Sequence, residues 1–185
     1  MALIRSAEDA RPETRGHSKR VAELSTAVAR AMGLPEGRVH LLARAAALHE
    51  VGRLASLGDR EARGNGPAGP GAGLGDEWSS EAVMATEQVL APIASLRAHR
   101  EIILHSSPAA GGAPALPFGT ERPGIPVESR ILAVCKTFVR LAQNGGADRE
   151  ATRRALEAIR KQAGPQHDSG VVEALSRLLR KGGEA

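Results

Sequence analysis

The chain has 185 residues, enough for one domain with a substantial core; 42% are hydrophobic but only 2% aromatic (Trp78, Phe118 and Phe138, with no tyrosine). A core built from Leu, Val, Ile and Ala favours packed helices over sandwiches or barrels, and it lacks the aromatic platforms on which single-stranded nucleic acid stacks. The formal charge is +4, but arginine is interspersed with Asp and Glu and no Lys/Arg block forms. A weak pull on anions is expected, and a dedicated DNA-binding face is not.

The opening MALIRSAEDARPE is too short and too charged for the apolar region of a signal peptide. From Pro12 to Met32, Val21, Leu24, Val28 and Met32 recur at helical steps, with Gly33 as a C′ stop. Pro35 suits the first position of the next helix, which runs to about Glu50 with Val39, Leu42, Ala46 and His49 on one face. Gly58–Gly75, dense in Gly and Pro, reads as a mobile loop within the domain. Helical periodicity returns over Glu77–Leu90 and Ser95–His105, and a second Gly/Pro loop spans Ser107–Pro126. The strongest helix is Val127–Gln143, ended by Asn144-Gly145-Gly146. Its single cysteine, Cys135, has no partner for an internal disulfide and reads as a small core hydrophobe. Asp148–Ala163 is amphipathic and Arg-rich, Gly164-Pro165 breaks it, and Ser169–Arg180 closes the pattern. The expectation is an all-α domain of about seven helices with two Gly/Pro-rich loops, no sheet and no internal repeat. No stretch reaches the roughly 18 apolar residues of a membrane span, so a cytoplasmic protein with no membrane contact is expected.

The most informative segment is Leu41–Ala55, LLARAAALHEVGRLA. His49-Glu50 at the end of a buried helix offers a divalent metal one nitrogen and one oxygen ligand. Of the six histidines (His17, His40, His49, His99, His105 and His167) three have such support. His17 begins a helix one turn after Glu13, His49 precedes a carboxylate, and His105 ends an apolar helix before a loop. A helical core can bring these three helix ends together.

With these residues in place, the chain resembles the HD-GYP branch of the HD metal-dependent phosphohydrolases. The resemblance rests on ETRGHSKRVAELS (13–25), LLARAAALHEVGRLA, VLAPIASL (89–96), EIILHSS (101–107), IPVESRILAVCKTF (125–138) and AGPQHDSGVVEAL (163–175), in matching order and spacing. It divides the chain into an N-terminal extension (1–10), an HD-GYP-like domain (11–182) and a short tail (183–185). The family implies an all-α fold holding two or three metal ions, commonly iron or manganese. Its active members hydrolyse cyclic di-GMP with a metal-activated water. Glu13 and His17 match its N-terminal ligand pair, and His49 matches the His of its His-Asp dyad. Glu50 replaces the dyad's Asp. Arg53 stands where a lysine faces the substrate phosphate, which makes it a candidate phosphate contact. His105 matches the first of a His-His pair and Ser106 takes the second place.

Other positions depart from the pattern. A ligand histidine falls near Ala82, the downstream metal-binding Asp falls at Lys136, and the Gly-Tyr-Pro motif is reduced to Gly112-Ala113-Pro114. An ammonium at a bridging-carboxylate position repels metal, and Lys136 is expected to pair with Glu50 or Glu13 instead. The resemblance therefore implies a degenerate domain without normal phosphodiesterase activity. No cofactor is expected, iron or manganese being the choice if one is held. The implied role is regulatory, through a protein partner or homodimer, or through a nucleotide such as cyclic di-GMP that is bound and not cleaved. Two alternatives stand beside it. One is a phosphohydrolase using a reduced site of Glu13, His17, His49, Glu50 and His105. The other is a nucleic-acid-binding helical module using the arginines of 148–163, disfavoured by the mixed charge.

Overall fold

Nine consecutive residues, Ile131 to Val139, are buried, so the helix that carries them has no face turned to water. It forms the axis of a helical fold in a computed structural model that describes residues 16–62, 80–107, 124–144, 149–164 and 166–183. In chain order these residues form α1 (His17–Ala31), α2 (Glu36–Leu48), α3 (Val51–Ala62), α4 (Ser80–Leu90), α5 (Arg97–His105), α6 (Val127–Asn144), α7 (Arg149–Lys161) and α8 (Ser169–Gly183). A 3₁₀ turn, Ala94–Leu96, leads into α5. Among the described residues there is no strand, and an isolated bridge joins Ala163 to His167. No described helix is long and apolar enough to cross a membrane.

The axial helix α6 is packed by α1, α2, α5, α7 and α8. Its Ile131, Leu132, Val134 and Cys135 join Val21 and Val28 of α1, Leu42 of α2, Ile102 of α5 and Leu175 of α8 in one aliphatic core. Cys135 is fully buried there, as a small hydrophobe should be. Two ion pairs tie the start of α6 to its neighbours. Arg38 on α2 grips Glu128 through both carboxylate oxygens, at 2.5 and 2.8 Å. Arg130 bonds Asp168, which also caps α8 by accepting the Val171 amide at 3.0 Å.

Gly33 ends α1 as expected. With φ +76° it lets its own amide reach the Arg30 carbonyl (2.9 Å) while the Leu34 amide reaches that of Ala29 (3.0 Å), a Schellman closure. Pro35 sits one place earlier than expected, as the N-cap of α2 and not its first helical residue. The larger correction concerns residues 49–62. Helix α2 ends at Leu48, His49 and Glu50 form a turn, and a separate helix α3 starts at Val51 and runs to Ala62. The first Gly/Pro-rich segment is thus helical through Ala62, because Asp59, Arg60, Glu61 and Ala62 tolerate or favour helix and one glycine costs only about 1 kcal/mol. The remainder of that segment, and Pro108–Pro123 of the second, lie outside the described residues.

Candidate metal centre

The turn between α2 and α3 places His49 and Glu50 at the inner end of both helices, 6% and 2% exposed. Helix α1, which packs against both α2 and α6, begins at His17, itself 4% exposed. The two imidazoles lie with centroids 5.3 Å apart, tilted by 51°. One donor atom from each of His17, His49 and Glu50 lies within 4.8 Å of the other two.

Each imidazole is held from behind. His17 Nδ1 donates to the Gln143 Oε1 oxygen at 2.8 Å, and His49 Nδ1 donates to the Ala46 carbonyl at 2.5 Å. Both bonds fix the tautomer that leaves Nε2 with its lone pair, the arrangement in which a histidine serves as a metal ligand. His17 Nε2 is buried and accepts no hydrogen bond, which costs free energy unless something else fills its lone pair. Burial drives the His49 ring down to about 3, helped by the nearby Lys136 and His17 and opposed by Glu50, so this nitrogen stays neutral. Burial alone would raise the Glu50 carboxyl, but His49 and the Arg53 guanidinium outweigh it and hold Glu50 at about 2, fully ionised.

Two imidazoles and one carboxylate are a donor set for a single borderline cation such as iron, manganese or zinc. Bonds of about 2.1 Å in a tetrahedral site set neighbouring donors about 3.4 Å apart. His49 Nε2 and Glu50 Oε1, now 3.8 Å apart, are near that spacing, and no pair in the trio, all within 4.8 Å, must close by more than about 1.4 Å. The residues fit one ion. They do not fit two. Lys136, 2% exposed on α6, stands within coulombic reach of His49, so an ammonium occupies ground that a second cation would need.

The remaining predicted residues fall as follows. Arg53 is 2% exposed and ion-paired with Glu50, so the candidate phosphate contact is turned into the protein and already engaged. His105 is exposed at the end of α5 and does not join the trio, so two of the three expected helix ends meet and the third does not. Ser106 is buried, its hydroxyl donating to the Ile103 carbonyl at 2.7 Å, which makes it a C-terminal cap of α5. Ala82 is buried on α4, where its carbonyl faces Gly52 of α3. Glu13 and Gly112-Ala113-Pro114 lie outside the described residues. On α7, Arg153 and Arg154 pair with Glu150, and Lys161 with Glu157, so much of its positive charge is met on its own surface. Sequence reasoning missed Gln143, 126 residues away from the ring it orients, and no local pattern marks it.

No family model matches the chain, and no curated protein or solved structure does either. What the fold and the site define is an all-helical domain with a buried two-histidine, one-carboxylate cluster at the junction of α1, α2 and α3.

Proposed function

We propose that the chain is a reduced HD-GYP-like domain, a cytoplasmic regulatory module that holds at most one divalent ion and does not hydrolyse cyclic di-GMP. The observation that supports this reading best is Lys136, buried on the axial helix beside His49, where the described residues gather three donors. A two-metal phosphodiesterase needs a bridging carboxylate and enough donors to repay the dehydration of two cations. Here the corresponding position carries a positive charge, and the one carboxylate of the cluster among the described residues is shared with Arg53. If an ion is bound, His17, His49 and Glu50 hold it, and it supplies a local positive charge that stiffens the α1–α2–α3 junction. The output then passes through the surface to a partner protein or to a second copy of the chain.

The test is to load the protein anaerobically with iron(II) or manganese(II), desalt it, measure metal per chain and assay cyclic di-GMP turnover. No more than one ion per chain and no turnover above the enzyme-free rate are expected, and Lys136→Asp should raise metal retention. Two retained ions together with turnover would sink the proposal. The convergence of the three donors favours one second reading, a phosphohydrolase with a reduced site. Turnover of a phosphoester that disappears in both His17→Ala and His49→Ala would establish it.

A further inference from the structure

Beside the centre, between α1 and α6 and edged by Thr152 of α7, a groove of about 360 Å³ opens to solvent, within the range of about 300–1,000 Å³ found for small-molecule sites. Its apolar lining comes from Leu24, Phe138, Val139 and Ala142. Arg20 and Gln143 supply donors to the same groove. The two ends differ in character. His17 meets Gln143, whereas Leu24, two turns further along α1, shares the groove with Phe138 and Val139, one turn earlier in α6. The helices therefore run antiparallel, with Arg20 and Gln143 towards the His17 end and the larger apolar side chains towards the other. Glu23 also lines the groove, but its side chain is 65% exposed and its carboxylate is met by Lys19 at 3.7 Å.

We infer that this groove binds an amphipathic monocarboxylate, and that its occupancy is read at the metal centre through Gln143. The carboxylate lies against the Arg20 guanidinium and the Gln143 amide nitrogen, and the apolar chain lies along Leu24, Phe138 and Val139. Gln143 faces both ways: its Oε1 accepts from His17 at 2.8 Å while its side chain lines the groove. An anion that accepts from the amide nitrogen polarises the amide and makes Oε1 a stronger acceptor. A stronger acceptor on Nδ1 makes His17 Nε2 a better electron donor to an ion. A bound carboxylate thus tightens ion binding, and by linkage the ion tightens carboxylate binding by the same factor. This second half rests on the proposed role of His17 as a ligand; the groove itself does not.

The test uses the full chain, with decanoate below its micellar concentration as the probe. Calorimetry on metal-free protein should show saturable 1:1 binding. Arg20→Glu and Ala142→Trp should each weaken it by about tenfold, the loss of one charge-assisted contact or of the space for the chain. A thermal melt checks that both variants keep the fold. Cobalt(II) titrations followed by visible absorption should show roughly fivefold tighter ion binding with saturating decanoate than without it. Absence of saturable binding, or binding that both variants leave unchanged, overturns the groove. Decanoate binding with an unchanged cobalt affinity overturns the relay through Gln143. Decanoate binding to a chain that takes up no cobalt overturns the metal reading and with it the relay, and supports the groove alone.

Discussion

Arg53 governs what Glu50 has left to give a metal. Both side chains are 3% exposed, and the guanidinium is ion-paired with the only described carboxylate of the cluster. Breaking a buried pair by removing one partner leaves a desolvated charge and costs about 3–5 kcal/mol. Arg53→Met should therefore lower the urea stability of metal-free protein by about 3 kcal/mol, while cobalt binds more tightly because Glu50 is released. Unchanged stability would mean that the pair is not what keeps Glu50 ionised. The spacing of these two residues, three apart, was readable as an ion pair, yet the family pattern led to a phosphate contact. What decides between them is direction. Arg53 is buried against Glu50, and that is a property of packing that residue spacing does not carry. His17 and His49 were legible for the opposite reason, since each sits at a helix end on a buried face that apolar periodicity reveals. His105 has the same local signature and is nevertheless exposed, so the signature is necessary and not sufficient.

At the level of elements, α3 and α4 approach closely, and Gly52 permits it. A Cβ added there would fall on the Thr86 hydroxyl and the Ala82 carbonyl oxygen, and 2.6 Å from the Thr86 amide nitrogen. Because two of those three atoms are backbone, relaxation means separating the helices. Gly52→Ala should cost about 3 kcal/mol, at the upper end of overpacking effects, and Thr86→Ala in the same chain should restore only part of it. Chemical denaturation of the two variants checks this; full rescue by Thr86→Ala would show the hydroxyl alone to be the obstacle. The same glycine explains why α3 escaped the sequence. Gly52 and Gly58 both fall inside it, and the Gly/Pro-rich run that follows made the whole stretch resemble a loop. Glycine here serves contact between helices and not a turn. Helix α6 was read almost to the residue, because seven of its nine successive buried positions are apolar, more than a surface helix would carry.

For the molecule as a whole, buried neutral histidines set the response to acid. Burial holds His49 at about 3 and, with Arg140 adding to the effect, His167 at about 4, against an ordinary 6.5. The unfolded chain takes up these protons as pH falls through 6.5, whereas the folded chain refuses them until about 4 and about 3. Acidification below 6.5 therefore favours unfolding. Glu50, at about 2 against 4.5, acts in the same sense below 4.5. The urea midpoint should be highest near neutral pH and fall steadily down to pH 4, with a shallower fall in His167→Gln. A midpoint that rises on acidification would overturn this account. The axial helix has one more consequence. Its lone thiol, Cys135, is sealed in the core and pushed by burial up to about 12, so it is neither exposed nor a nucleophile while the fold is closed. A thiol-reactive dye reaches it only when α6 parts from its neighbours. The native sequence thus carries its own reporter of core opening, a single labelling clock at the centre of the bundle that needs no engineered probe.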